Sequence, residues 1–125
     1  MKKTIMVVDD NADVIMSVKH GIKDLDAGFD VISVESGQKC LDFLKNNPTP
    51  DLILLDIMMP EMTGWETFDK IKESDSWDNI PIIFLTARND RIAENAGRFL
   101  GEDYIEKPFE IADLKKRIDK VLLDK

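Results

Sequence analysis

Five polar side chains follow apolar runs in this sequence: Asp9 and Asp10 after Ile5-Met6-Val7-Val8, Asp56 after Leu52-Ile53-Leu54-Leu55, Thr86 after Ile82-Ile83-Phe84-Leu85, and Lys107 shortly after Asp103-Tyr104-Ile105. Three carboxylates brought into one crevice repel, and such a group either protonates one member or holds a cation. Oxygen ligands with no His or Cys among them favour a hard ion. Mg²⁺, or Mn²⁺ in its place, fits better than calcium, whose twelve-residue loop spacing is absent. A carboxylate beside such an ion, a lysine and a hydroxyl can accept a phosphoryl group, because the cations neutralise the transferring oxygens. Asp56 is the best-placed nucleophile. It ends the most buried run alone, whereas Asp9 and Asp10 are paired, as metal ligands tend to be.

Convergence of these residues requires the apolar runs to be neighbouring strands. A run as short and apolar as Leu52 to Leu55 reads as a strand buried on both faces. Pro60 then removes a backbone donor and opens a loop, and Thr63-Gly64-Trp65-Glu66 has the spacing of a capping box, which predicts a helix from Gly64 to about Glu73. The same alternation runs through the chain. Strands are predicted at Ile5–Val8, Phe29–Val34, Leu52–Leu55, Pro81–Leu85 and Asp103–Ile105. The helices between them span Ala12–Leu25, Gly37 to about Asn46 behind a Ser36 cap, the segment from Gly64, and a short stretch capped by Asn89 or Asp90 and running towards Phe99. A closing helix buries Ile111, Leu114, Ile118, Val121 and Leu122. Strict alternation implies an α/β domain: a single doubly wound, five-stranded parallel sheet of the flavodoxin-like (βα)5 type, with strand order 2-1-3-4-5. Its crevice lies outside the carboxyl ends of strands 1 and 3, where the acids stand.

Composition bounds the function. The 125 residues are read as one domain, 1–125, and the apolar fraction of 43% with 34% charged residues is that of a globular chain rather than a disordered one. A net charge of −8 opposes direct binding to nucleic acid and anionic membranes. The single Cys40 cannot form an internal disulfide, no run approaches a membrane span, and Met1-Lys2-Lys3 leads into a strand rather than a signal sequence, so a cytoplasmic address without membrane insertion is expected.

Taken in order, Asp9-Asp10, Asp56 with Met59-Pro60 and Gly64, Thr86-Ala87, and Lys107-Pro108-Phe109 resemble the motifs of the CheY-like response-regulator receiver domains, over the whole length of the chain. The resemblance implies a two-component signalling switch, not a substrate-turning enzyme. Asp56 is to accept a phosphoryl group from the phosphohistidine of a sensor histidine kinase or a histidine phosphotransfer protein. Asp10, Asp56 and the backbone carbonyl of Met58 are to bind Mg²⁺, with Asp9 acting largely through water, while Lys107 pairs with the phosphoryl oxygens. Thr86 and Tyr104 are the implied switch pair, changing the face made by the fourth helix, fifth strand and closing helix. Met58 and Arg88 resemble the variable positions that tune the phosphoryl lifetime. The Lys107-Pro108 bond is implied to be cis. The chain departs from the family in Leu100-Gly101-Glu102-Asp103-Tyr104, where Gly-Ala-Asp-Asp-Tyr is frequent, which implies a shortened or displaced fourth helix.

Two other readings compete. A binding module that keeps the fold without the switch usually lacks an acid or the lysine, and none is missing here. A phosphohydrolase working through an aspartyl phosphate calls for Asp-x-Asp, whereas Asp56-Ile57-Met58 has methionine at the third place. An acidic first loop disfavours a flavin phosphate cradle. His20 reads as a surface residue, Cys40 as packing, and Trp65 and Phe68 as the inner face of the third helix; Trp77 is open between packing and contact. The downstream protein target is unspecified, and a monomer or a phosphorylation-dependent dimer is expected.

Overall fold

Each continuous apolar run forms a strand: β1 (Lys3–Val8), β2 (Phe29–Val34), β3 (Leu52–Asp56), β4 (Ile82–Thr86) and β5 (Asp103–Glu106). The computed structural model describes residues 2–87 and 103–123. All pairings are parallel, in the order β2-β1-β3-β4-β5, as the alternation predicts. Helices α1 (Ala12–Leu25), α2 (Gly37–Asn46), α3 (Gly64–Lys72) and α4 (Ile111–Leu123) connect or close these strands. The helix expected from Asn89 or Asp90 towards Phe99 lies outside the described residues, as do Arg88 and the Leu100-Gly101-Glu102 departure.

Strand bounds differ from the apolar runs where backbone bonding, not side-chain character, decides. β1 starts at Lys3, which pairs with Phe29. β4 starts at Ile82 because Pro81 has no N–H to give, although its carbonyl still accepts from Ile53 N at 3.0 Å. β3 and β5 each run one residue further than predicted, to Asp56 and Glu106.

Alternation sends successive strand side chains to opposite faces. On one face Ile5, Val7, Leu52, Leu54, Ile83, Leu85 and Ile105 pack under Ile15, Val18 and Ile22 of α1 and Leu114 and Ile118 of α4. On the other, Met6, Val8, Ile53, Leu55, Ile82 and Phe84 pack under Cys40, Leu41 and Leu44 of α2 and Ile71 of α3, with Trp65, Phe68, Trp77 and Tyr104 half-buried against them. Trp77 is therefore a packing residue. Each fully buried aliphatic side chain contributes about 1.5–3 kcal/mol, which makes the two layers the main source of stability.

The helices begin where the sequence places their caps. Ser36 Oγ accepts from Lys39 N at 3.1 Å, and Thr63 and Glu66 close a reciprocal capping box at 3.2 and 2.9 Å. Asn11 caps α1, its Oδ1 accepting from Asp13 N at 2.8 Å, which frees both preceding aspartates from that task. Among the described residues, no helix is long and apolar enough to cross a membrane.

Candidate functional site

Parallel strands end in step, so polar residues that finish them share one rim. Asp9 follows β1, Asp56 ends β3, Thr86 ends β4 and Lys107 follows β5. The ladder extends a residue past the formal strand ends: Asp9 N donates to Val34 O at 3.2 Å, and Lys107 N to Thr86 O at 2.6 Å. The Lys107-Pro108 peptide is cis, as the resemblance implies. Lys107 Nζ then donates to Asp9 Oδ2 at 2.9 Å and to Asp56 Oδ1 at 3.1 Å. Asp9 is oriented from its other oxygen, Oδ1, which accepts from Asn11 N at 2.9 Å.

The loop after Asp56 is closed by backbone. Gly64 N donates to Ile57 O at 2.8 Å, and a Cβ on Gly64 would meet the Asp56 carbonyl oxygen and lie 2.7 Å from Ile57 Cα. Only glycine allows α3 to start so close to the acid. Glu61 makes the turn in the left-handed region at φ 69°, and Met62 N reaches back to Pro60 O at 2.8 Å. Met58 and Met59 part company here: Met59 enters the core and Met58 is 63% exposed.

Carboxylate oxygens of Asp9, Asp10 and Asp56 all lie within 4.8 Å of one another. Asp9 and Asp56 are buried and Asp10 is exposed, so a cation can enter from the Asp10 side. At an effective dielectric constant of about 20, two full charges at that separation repel by roughly 3 kcal/mol. The carboxyl of Asp56 is accordingly pushed up to about 7, first by burial and then by Asp9, against the pull of Lys107. Burial alone draws the Lys107 ammonium down, but its bond to Asp9 and the charges of Asp56 and Asp9 outweigh this and hold it above its ordinary value. Among the described residues one lysine faces three acids, which leaves the cluster short of positive charge. The all-oxygen donor set, open on one side, fits a hard divalent ion such as Mg²⁺.

Of the other residues singled out, Thr86 is fully buried, and its Oγ1 has no hydrogen-bond partner among the described residues. Such a hydroxyl is rare in a packed interior. Tyr104 lies half-buried on the same sheet face, and Arg88 is outside the described residues. His20 is exposed on α1, and burial pushes the Cys40 thiol up to about 12, which makes it inert. Sequence reasoning missed the part of Asn11, whose backbone N–H fixes Asp9; its position directly after an acid pair and at a helix cap was the available signal.

The family described as the response regulator receiver domain matches residues 5–119. A two-component response regulator of rice is 33% identical over 94% of this chain and 87% of its own length. A CheY-like receiver domain protein of Methanospirillum hungatei has a solved structure that matches with a TM-score of 0.81 at 38% identity, covering 100% of both chains. A response regulator structure from Chloroflexus aurantiacus matches with a TM-score of 0.85 at 30% identity, over 98% of this chain and 99% of its own. The chain spans about half or less of the length of several other curated relatives. It covers 27% of a probable cyclic di-GMP phosphodiesterase of Vibrio cholerae, at 38% identity, and 48% of a transcriptional regulatory protein of Bacillus subtilis, at 35%. The chain belongs to the response regulator receiver family, the signalling domains of two-component systems, which are phosphorylated by histidine kinases and generally bind Mg²⁺.

Proposed function

We propose that this receiver domain is a phosphorylation-activated switch in which Asp56 accepts a phosphoryl group from the phosphohistidine of a sensor histidine kinase or phosphotransfer protein. The observation that carries the reading is the Lys107 bridge to Asp9 and Asp56, with Asp10 in the same cluster. A carboxylate oxygen of Asp56 attacks phosphorus, the P–N bond of the donor breaks, and the imidazole leaves with its electron pair and takes up a proton. An acyl phosphate on Asp56 results.

Asp10, Asp56 and the Met58 carbonyl would hold Mg²⁺, with Asp9 acting through water, and the bound ion would neutralise charge on the transferring oxygens. Lys107 keeps its ammonium on the rim and exchanges its Asp56 partner for a phosphoryl oxygen. Asn11 holds Asp9 in orientation. Thr86 has a buried hydroxyl without a partner among the described residues, and the arriving acceptor oxygens satisfy it. Movement of Thr86 leaves space for Tyr104 to turn inward, and the surface around β5 and α4 changes for a protein target. Exposed Met58 cannot orient an attacking water and shields the phosphoryl group, with Arg88 as the second position tuning its lifetime.

Incubation with Mg²⁺ and acetyl phosphate, followed by intact mass measurement, tests this. One added phosphoryl group is expected, absent from Asp56→Asn and from chelator-treated samples. A wild-type chain left unmodified sinks the reading.

A further inference from the structure

Helix α3 begins against the backbone of the acid and continues directly into an aromatic stack. Gly64 is wedged on Asp56 and Ile57, and the next residue, Trp65, places its ring centroid 4.4 Å from that of Phe84, tilted by 45°. Phe68, one turn on, lies 5.2 Å from Phe84 and edge-on to Trp65 at 6.4 Å. Phe84 stands in register with Leu55, the residue before Asp56, on one side and with Tyr104 on the other. It also shares a sheet face with Thr86, two residues along β4. Tyr104 packs on this same cluster. Rings at these separations interact specifically, and a core packed to crystal density does not let one turn without displacing its neighbours.

We infer that Trp65 is a positioning residue of the switch, its ring coupling the Asp56 loop to the orientation of Tyr104 through Phe84. The inference rests on the proposed phosphoryl chemistry and adds a route to it: the state of Asp56 is sensed by the start of α3 as well as by Thr86. By linkage, a ring that responds to occupation of Asp56 must also influence the affinity with which Asp56 is occupied.

The chain has two tryptophans, so Trp77→Phe leaves Trp65 as the sole indole. That variant is titrated with beryllofluoride, a reversible mimic of the phosphoryl group, in the presence of Mg²⁺. Binding is followed by fluorine NMR and Trp65 by its emission. The expected result is an emission shift with the same half-saturation as the bound fluorine signal, lost in Asp56→Asn and diminished at saturating mimic when Tyr104→Leu is added. Bound fluorine with unchanged emission overturns the inference and leaves the phosphoryl reading standing, as does a shift indifferent to Tyr104→Leu. No bound fluorine overturns both. In the otherwise wild-type chain, Trp65→Leu is expected to move the half-saturation by about fivefold or more, while Trp65→Phe stays within about twofold. Equal affinities in all three chains, each shown to be folded by circular dichroism, also overturn it.

Discussion

The two faces of the sheet are built from different materials. The face under α1 and α4 is almost wholly aliphatic, with Phe29 and Phe109 as its aromatic members, and strand alternation directs Asp9, Asp56 and Lys107 towards it at the rim. The face under α2 and α3 collects Phe43, Trp65, Phe68, Trp77, Phe84 and Tyr104, and it receives Thr86. Branched aliphatic side chains interlock with few alternative rotamers and hold a charged cluster still. Flat rings offer a small set of distinct stackings and suit a part that changes between two arrangements. On the proposed function, chemistry and readout would occupy opposite sides of a single layer of backbone.

The comparison breaks most easily at the lysine. Lys107→Ala removes the cation shared by Asp9 and Asp56, and phosphoryl uptake from acetyl phosphate is expected to fall by about 10²–10³-fold. A rate within a few-fold of wild type would show that the charged face does not depend on this contact.

Next in size is the burden of Asp56 itself. Its raised pKa means that the folded state holds a proton that the unfolded chain has already lost, so metal-free stability falls as pH climbs from about 4 to about 7 and then levels. Asn does not titrate. Asp56→Asn should therefore gain on wild type across that window, by on the order of 1–4 kcal/mol at pH 8, with the difference fading near pH 4. Urea unfolding at several pH values checks this, and a constant difference contradicts it. Mg²⁺ competes with the same proton, so its Kd should weaken by up to about tenfold per unit of pH below 7, read by calorimetry.

A smaller effect sharpens the division between the faces. Phe84→Leu should cost about 1–2 kcal/mol of stability, yet leave phosphoryl uptake within about twofold of wild type. A loss of uptake like that of Lys107→Ala would mean that the aromatic face serves the chemistry directly. Smallest of all, Met58→Asn should speed loss of the phosphoryl group several-fold, because an amide can orient water where a thioether cannot; unchanged or slower decay defeats this idea.

Much of the fold and of the rim is legible in the sequence. The apolar runs at Ile5, Leu52 and Ile82, with an acid or hydroxyl ending each, predict both the parallel sheet and its polar rim, because burial on two faces leaves no other place for those residues. Thr63-x-x-Glu66 and Ser36 declare their helices through local hydrogen bonds that need no tertiary context. Relations across the chain were less legible. That Lys107 shares itself between Asp9, 98 residues away, and Asp56 depends on how far β5 extends and which way each strand end faces. The resemblance singles out Met58 for the rim, but only the path of the loop sends Met59 into the core. Trp77 sits in a polar turn whose composition does not reveal that its ring turns back onto α3's layer.

The divided lysine has one more consequence. Lys107 already holds two anions, so in the proposed switch the ammonium would trade one partner, Asp56, for another, a phosphoryl oxygen, and its count of bonds would be conserved. Such a corner acts as a pivot and gives little drive to the motion. On the proposed switch the drive would arise where bonding increases, at Thr86, whose buried hydroxyl has no hydrogen-bond partner among the described residues.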